Sequence, residues 1–279
     1  MQAIVVAVDF SNTSLHAVEY AIPLANKFKA NLMLIWVDKV SPSESVYPDT
    51  SVENRNEAKK RFEEIIHQYH KKMGKNLRID YKLKKGKIYL EVDALARISH
   101  AGLIIAGSHG ISGFEEYWIG SNAFKIVTYA TSPVITVRYD FPVKKVIERI
   151  VVPVDSSPET LQKFPFVVQL AKMFNSEVHV VATHSSQLKS LQRHTEKYVQ
   201  QVSSYLFAND VKFIEDSIVS NDITRDMLHY AEDVKADLIT IMTEQENPAN
   251  LLLGPHAQQI ISLSTIPVLS IHPRENFQL

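Results

Sequence analysis

The chain has 279 residues, 45% of them hydrophobic and 22% charged, a formal net charge of −1 at pH 7, and no cysteine. This length suits two ordinary domains, and the lack of cysteine excludes disulfides, thiolate metal sites and thiol nucleophiles. A near-neutral chain has no overall field to attract nucleic acid or an anionic membrane, and no apolar run approaches the roughly 20 residues that span a bilayer. The N-terminal MQAIVVAVDF lacks the basic segment of a secretory signal. We therefore expect a cytoplasmic protein that binds neither nucleic acid nor membrane.

Buried strands and amphipathic helices alternate along the first half of the chain. Short apolar runs such as AIVVAVDFS are typical of strands buried on both faces of a parallel sheet. The polar stretch 41–56 predicts a loop, and EAKKRFEEIIHQYHKKMG, residues 57–74, predicts an amphipathic helix. The order β-α-β-α-β-α-β-α-β favours an open, doubly wound α/β domain with right-handed crossovers. Its strands are predicted at 3–11, 31–38, 78–86, 102–107 and 133–139.

The second half repeats the pattern of the first. IERIVVPVDSS echoes AIVVAVDFS and places Asp155 opposite Asp9, while STIPVLSIH echoes ATSPVITVR and places Pro267 opposite Pro133. Two copies of one fold explain these matches. The sequence therefore predicts two tandem domains, 1–140 and 146–279, each with an open parallel sheet of five strands, packed together as a pseudo-dimer.

Glycines are concentrated in one loop, GSHGISGFEEYWIGS, which holds four of the eight glycines of the chain. We expect Gly107, Gly110 and Gly120 to make tight turns with positive φ and to let a ligand touch the main chain. A helix predicted to begin at Ser121 would direct free amide groups at that ligand, which suits phosphate. The loop has no lysine or arginine and no P-loop pattern. Phosphate charge would therefore be met by backbone N–H groups, the Ser121 hydroxyl and a divalent cation.

The spacing G-x2-G-x9-G-[ST], met by Gly107, Gly110, Gly120 and Ser121, resembles the nucleotide motif of the universal stress protein family. An aspartate after the first strand and the closing SPVITV agree with this resemblance, which covers both halves. The chain is thus similar to tandem-domain members, whose domains have the adenine nucleotide alpha hydrolase-like fold. The resemblance implies ATP as the ligand, with Mg²⁺ as an optional companion, and a homodimer and an unidentified protein as further partners.

The same resemblance assigns a set of positions to the nucleotide. Asp9 would contact the ribose or adenosine, and Val37 would hold the adenine edge through its main chain. His109 lies on the path toward the phosphates. The full set is Ala7, Asp9, Val37 and Ala106 at the nucleoside, Gly107, His109 and Gly110 along the path, and Gly120, Ser121, Asn122 and Ala123 at the phosphate oxygens.

The corresponding loop of the second half, MTEQENPANLLLGPHA, departs from the motif. Gly254 stands opposite Gly120, but Met242 replaces the first glycine. Pro255 stands opposite Ser121 and removes an N–H donor where phosphate would need one. We therefore predict that this half does not bind the nucleotide and is structural or mediates interactions.

Simpler interpretations stay open at this point. The glycines could only build a tight connection, and Asp9 could only be a helix cap or turn residue. We interpret Asp155 as a helix cap. The histidine pairs His67/His70 and His179/His184 lack further ligands at suitable spacing, so we interpret them as surface residues and assign no metal site.

The function that these patterns favour is that of an ATP-binding regulatory protein of a stress response, with no catalytic residue assigned. One alternative is a slow ATP hydrolase, for which His109 is the candidate that the motif supplies. The other is a ligand-free interaction scaffold, whose crevice would be filled by Tyr117 or Trp118. The identity of the stress or signal does not follow from the sequence.

Overall fold

The computed structural model describes residues 1–38, 49–108, 120–144, 146–184, 189–243, 245–247 and 250–273. The chain divides into two compact units, Met1–Val143 and Lys144–Leu279. Within the described ranges, no helix is both long enough and apolar enough to cross a membrane.

The first unit is a parallel sheet of five strands in the order β3-β2-β1-β4-β5. The strands are β1 (Ala3–Ala7), β2 (Asn31–Asp38), β3 (Ile79–Lys85), β4 (Ala101–Gly107) and β5 (Val134–Val137), and the helices are α1 (Asn12–Phe28), α2 (Asp49–Tyr69), α3 (Ile88–Ile98) and α4 (Ser121–Tyr129). The predicted doubly wound α/β fold is confirmed. The chain runs outward from β1 in one direction and then returns to continue from β4 in the other, so the order switches between β1 and β4.

The second unit has the same topology, with its strands in the order β12-β9-β6-β7-β8. Its strands are β6 (Arg149–Val154), β7 (Glu177–His184), β8 (Lys212–Val219), β9 (Leu238–Met242), β10 (Gln245–Asn247), β11 (Asn250–Leu253) and β12 (Val268–Ile271), and its helices are α5 (Phe164–Phe174), α6 (Lys189–Ala208), α7 (Ile223–Asp233) and α8 (Pro255–Leu263). A 3-10 helix, Pro158–Lys163, precedes α5.

The core of each sheet consists of the valine- and isoleucine-rich strands that the sequence marks. Ile4, Val5 and Val6 of β1 are fully buried, and so are Ile150, Val151 and Val152 of β6. Strands buried on both faces are required when helices cover both sides of a parallel sheet. This burial leaves the carboxyl ends of the central strands as the part of each sheet that is open to a ligand.

Two segments that were predicted as loop have regular secondary structure. Helix α2 begins at Asp49, so the eight residues 49–56 that were predicted as loop are helical. The Arg55 guanidinium reaches the Leu83 carbonyl of β3 at 3.4 Å, and such tertiary contacts override weak local propensity. In the second unit, β10 and β11 form a small antiparallel ladder within the segment that was predicted as the counterpart of the glycine-rich loop.

Candidate functional site

The candidate site lies where the strand order switches in the first unit, at the carboxyl ends of β1 and β4. These two strands are adjacent and parallel. Ala7 is the last residue of β1, and Ala106 and Gly107 are the last residues of β4, so these residues lie on opposite sides of the crevice. Helix α4 begins at Ser121, where the sequence predicts a helix start. Ligands of open α/β sheets bind at this kind of position.

Asp9 is held in a tight hydrogen-bonded turn after β1. Its Oδ1 atom accepts hydrogen bonds from Ser11 N at 3.0 Å and from Ser11 Oγ at 2.6 Å, and the Asp9 amide donates to Ser14 Oγ at 3.2 Å. The N-cap of α1 is Ser11, which accepts from Ser14 N, so Asp9 is a turn residue rather than the cap. Both hydrogen bonds to the carboxylate use Oδ1, and Asp9 Oδ2 forms no hydrogen bond with the described residues.

Phe10 has a left-handed backbone, with φ of 62°, which is an outlier for a bulky side chain. Its ring packs against Phe62 with the centroids 5.0 Å apart, and the Arg61 guanidinium lies 5.4 Å from the ring centroid. These contacts hold the turn and therefore hold Asp9. Sequence analysis missed Phe10, Ser11 and Ser14, although an aspartate two residues before a serine is a signal for such a turn.

The end of β2 offers main-chain and side-chain groups to the same crevice. The β1–β2 ladder ends at the Ala7–Ile35 pair, so the main-chain groups of Val37 lie beyond its last rung. The next residue, Asp38, is buried, and its Oδ2 atom has no hydrogen-bond partner among the described residues. A buried carboxylate oxygen without a donor is costly, which makes Asp38 a further candidate site residue that the sequence analysis missed.

The prediction that Gly107 has a positive φ is wrong. Among the described glycines, Gly86 is the one with a positive φ. Gly107 is required for a different reason. A Cβ at Gly107 would lie 2.7 Å from Thr13 Cγ2 and 3.1 Å from the carbonyl carbon and oxygen of Thr13. The end of β4 therefore needs glycine because α1 starts directly against it.

Gly120 also departs from its prediction. Its φ is −57°, and its amide donates to the Ser108 carbonyl at 2.7 Å, so this amide is not available to a phosphate. Ser108, in turn, is buried and donates its own amide to the Val137 carbonyl at 2.9 Å. Gly120 thus closes the loop onto β4 and positions the helix start rather than donating to an anion.

The next three residues, Ser121, Asn122 and Ala123, form the first turn of α4. The helix has no side-chain cap, and the amides of these residues form no hydrogen bond with any described residue. The first amides of a helix lack partners within the helix, and together with the helix dipole they attract anions. The predicted residues His109, Gly110, Tyr117 and Trp118 lie outside the described residues.

The second unit reproduces the aspartate turn. Asp155 Oδ1 accepts from Ser157 N at 2.8 Å and from Ser157 Oγ at 2.5 Å, and its amide donates to Thr160 Oγ1 at 3.3 Å. Asp155 is therefore a turn residue as well, and the prediction that it caps the helix is wrong. At the start of α8, Pro255 occupies the first helical position and has no N–H, as its place opposite Ser121 predicts.

A cavity of about 720 Å³ lies at the carboxyl edge of the sheet in the second unit. Its lining includes Asp155, Lys163 and Met242. Lys163 is only 2% exposed, and burial lowers the pKa of its amine to about 8, against the opposing effect of Asp155. Sequence analysis did not find this lysine, because nothing local distinguishes it from a surface lysine.

The prediction that His179 is a surface residue is wrong. It is 5% exposed in the middle of β7, its Nδ1 atom lies 2.9 Å from the Tyr230 hydroxyl, and burial lowers the pKa of its imidazole. Among the described residues, no three histidine, aspartate or glutamate side chains are grouped so that they could hold a metal ion.

Fold and site together define a class: proteins with two tandem, doubly wound α/β units and a crevice at the β1–β4 switch. The model of the universal stress protein family matches residues 1–138 and 147–272, and the chain belongs to this family. The universal stress protein MJ0531 of Methanocaldococcus jannaschii is 31% identical over 137 residues, which are 48% of this chain and 81% of that protein. YxiE of Bacillus subtilis is 30% identical over 146 residues, which are 48% of this chain and 96% of that protein.

A solved universal stress protein from Archaeoglobus fulgidus is similar over nearly the whole chain. It superimposes with a TM-score of 0.80 at 15% identity, covering 99% of this chain and 97% of that one. At this identity the similarity shows the fold, and it extends through both units.

Proposed function

We propose that the protein is an ATP-binding regulatory member of its family and that it holds the nucleotide in the first unit. The observation that carries this proposal is the uncapped first turn of α4, where three successive amides, Ser121 to Ala123, have no acceptor among the described residues. They lie at the strand-order switch, where phosphate-binding helix starts of open sheets are found. Gly107, His109 and Gly110 remain the proposed path between the nucleoside and these amides.

The nucleoside end is supported by three oxygen or main-chain groups that protein contacts leave available. Asp9 Oδ2 can accept a hydrogen bond from a ribose hydroxyl, since Ser11 occupies only Oδ1. The main chain of Val37 lies past the last rung of the β1–β2 ladder and can pair with the adenine edge. Asp38 Oδ2, which is buried without a partner in the described part of the chain, can accept from an amino group. Ala7 and Ala106 would give small apolar walls.

Phosphate binding here depends on neutral donors. The three amides and the Ser121 hydroxyl would bind phosphate oxygens, and Mg²⁺ bound to the nucleotide would offset charge that the helix dipole leaves unbalanced. The second unit lacks the equivalent first amide because Pro255 replaces it, so we propose that it holds no triphosphate in this manner. A homodimer contact or a partner protein would then respond to occupancy of the first unit.

The direct test is to measure what the purified protein carries and binds. Denaturing the protein and separating the supernatant by chromatography should release adenine nucleotide, and titration calorimetry of the emptied protein with ATP and Mg²⁺ should give one site per chain. Two sites would refute the assignment to the first unit alone, and no measurable binding of ATP would refute the proposal. Following ADP release with and without Mg²⁺ separates a regulatory binder from a slow hydrolase.

A further inference from the structure

We propose that the cavity of the second unit is a separate site for a small carboxylic acid that also carries a hydroxyl or amino group, with Lys163 as the anchor for the carboxylate. The cavity, of about 720 Å³, falls within the usual size of small-molecule sites. The proposal concerns a different unit and a different ligand class from the nucleotide proposal, and it does not depend on it.

Lys163 is the residue that points to an anion. Its ammonium lies inside the protein and lines the cavity, and its one hydrogen bond to a described residue is to Thr160 Oγ1, at 3.0 Å. An ammonium group has three N–H donors, and it forms no ion pair with any described residue. Because a buried charge is costly until it is paired, a ligand carboxylate would supply the missing partner.

The first unit shows that the fold does not require this charge. The turns around Asp9 and Asp155 have the same hydrogen bonds, from the serine two residues later and to the hydroxyl five residues later. The residue eight positions after the aspartate is Ala17 in the first unit and Lys163 in the second, and both residues are buried. The second unit thus keeps the turn and adds a buried lysine to the lining of the cavity.

The other lining residues favour a carboxylic acid over a phosphate. Asp155 and Glu159 line the same cavity as Lys163, so two carboxylates face one ammonium, and a dianionic phosphate would meet net repulsion. The proline at the start of α8 also removes an amide that phosphate would use. Asp155 Oδ2, which forms no hydrogen bond with the described residues, can accept from a ligand hydroxyl or ammonium.

Apolar side chains complete the lining and set the shape of the ligand body. Leu191 of α6, Met227 of α7 and Ile241 of β9 contribute to the wall. Small-molecule sites commonly combine such apolar walls with a few polar groups that fix orientation. A ligand with a carboxylate at Lys163, a donor group at Asp155 and a short apolar body would satisfy all three parts.

The test uses the full chain with ¹³C-labelled lysine, in which the Lys163 Cε signal is assigned by its loss in Lys163→Met. The L-amino acids, glycolate and lactate are added one at a time at millimolar concentration, and inorganic phosphate and ATP serve as comparison probes. At least one carboxylate should move the Lys163 signal and raise its titration midpoint above that of the unliganded protein. The proposal is overturned if no carboxylate moves the signal, or if only phosphate or ATP does.

Variants then separate anchoring from a general effect of charge. For a carboxylate that binds, Lys163→Met should weaken affinity at least tenfold, whereas Lys197→Met, which removes an exposed lysine of α6, should leave it unchanged. Asp155→Asn should weaken hydroxy and amino acids more than propionate, which has no donor group at that place. Equal effects of the two lysine variants would overturn the role of Lys163.

Affinity should also fall as the pH rises above about 8, where burial lets the Lys163 amine lose its proton. The other titratable groups of the lining are Asp155, Glu159, His184 and His256. Lys163 is the lining group whose pKa burial lowers to about 8, so we assign a loss of affinity above that pH to its amine. Ligand binding that is independent of pH between 7 and roughly 10 would contradict this assignment.

Discussion

Gly107 and Thr13 are packed so closely that no side chain fits between them. A Cβ at Gly107 would lie 2.7 Å from Thr13 Cγ2 and 3.1 Å from two main-chain atoms of Thr13. This contact brings the start of α1 to the end of β4. The glycine of the motif is therefore needed by the fold itself, in addition to any need of a ligand.

Gly107→Ala should destabilise the protein by about 1–3 kcal/mol, the usual cost of overpacking, because main-chain atoms of Thr13 cannot move away as a side chain can. Urea unfolding followed by circular dichroism measures this change. Gly102→Ala on the same strand is the matched control, since the nearest atom there is the flexible terminal methyl of Met1, at 2.7 Å. If the two variants lose the same stability, the close approach of α1 is not what requires Gly107.

Ser121→Pro should weaken ATP binding by about tenfold to a hundredfold, because it removes one amide and one hydroxyl that would bind a charged phosphate oxygen. The fold should tolerate it. Gly120 has φ of −57° and ψ of 138°, which suits a residue before proline, and Gly254 has φ of −57° and ψ of 151° before the natural Pro255.

The control for that experiment is Ser121→Ala, which removes only the hydroxyl. Titration calorimetry at fixed Mg²⁺ concentration should rank the affinities as wild type, then the alanine variant, then the proline variant. Equal affinities of the alanine and proline variants would show that the Ser121 amide does not bind the nucleotide.

Lys163→Met should stabilise the unliganded protein at pH 7 by about 3 kcal/mol, the free energy that corresponds to a pKa lowered from 10.5 to about 8. Between these two pH values the unfolded chain binds more protons at this position than the folded chain does. The stability of the wild type should therefore rise relative to the variant from pH 8 to pH 10.5, and the difference should be largest below pH 8.

Urea unfolding of both proteins at several pH values between 7 and roughly 10 tests this, with Lys197→Met as the control whose stability should follow the wild type. A Lys163→Met protein that is less stable than the wild type at pH 7 would show that the ammonium is already well compensated within the protein, and would remove the physical reason for an anionic ligand.

Asp237→Ala should destabilise the second unit by about 1–3 kcal/mol for each main-chain amide that loses its charged acceptor. Asp237 is 3% exposed and accepts hydrogen bonds from Lys144 Nζ at 2.5 Å, Glu148 N at 2.7 Å and Arg149 N at 3.0 Å. The variant leaves two amides at the start of β6, those of Glu148 and Arg149, without their acceptor. Lys144→Met should cost much less, since the Lys144 side chain is 48% exposed. Thermal unfolding of the two variants should differ clearly, and similar midpoints would contradict this account.

The local sequence pattern was sufficient to predict β2 and the first residues of α4 and α8. NLMLIWVD predicts β2 at 31–38, and the strand is Asn31–Asp38. Ser121 begins α4 and Pro255 begins α8, as their places after Gly120 and Gly254 predict. These features depend on residues that are neighbours in the chain, such as an apolar run or a missing N–H, and the sequence displays them directly.

The extent of α2 and the hydrogen-bond partners of individual amides were harder to predict from the sequence. Residues 49–56 have weak helix propensity, yet they are helical, and Arg55 among them reaches β3. The Gly120 amide was predicted to bind phosphate, but it donates to the Ser108 carbonyl. Both outcomes depend on which distant groups the fold brings within reach, and local propensity carries no information about them.

The sequence alone determined that the chain is a repeat of one α/β unit, that the first copy has a glycine-rich loop leading to a helix, and that the second copy lost it. Apolar periodicity and the special backbone chemistry of glycine and proline are written in the order of residues. Only the tertiary structure decided that Gly107 makes room for Thr13, that the carboxylate of Asp38 is buried, and that Lys163 is buried beside a cavity. Burial and contact are properties of folded neighbours, and those neighbours lie far apart in the chain.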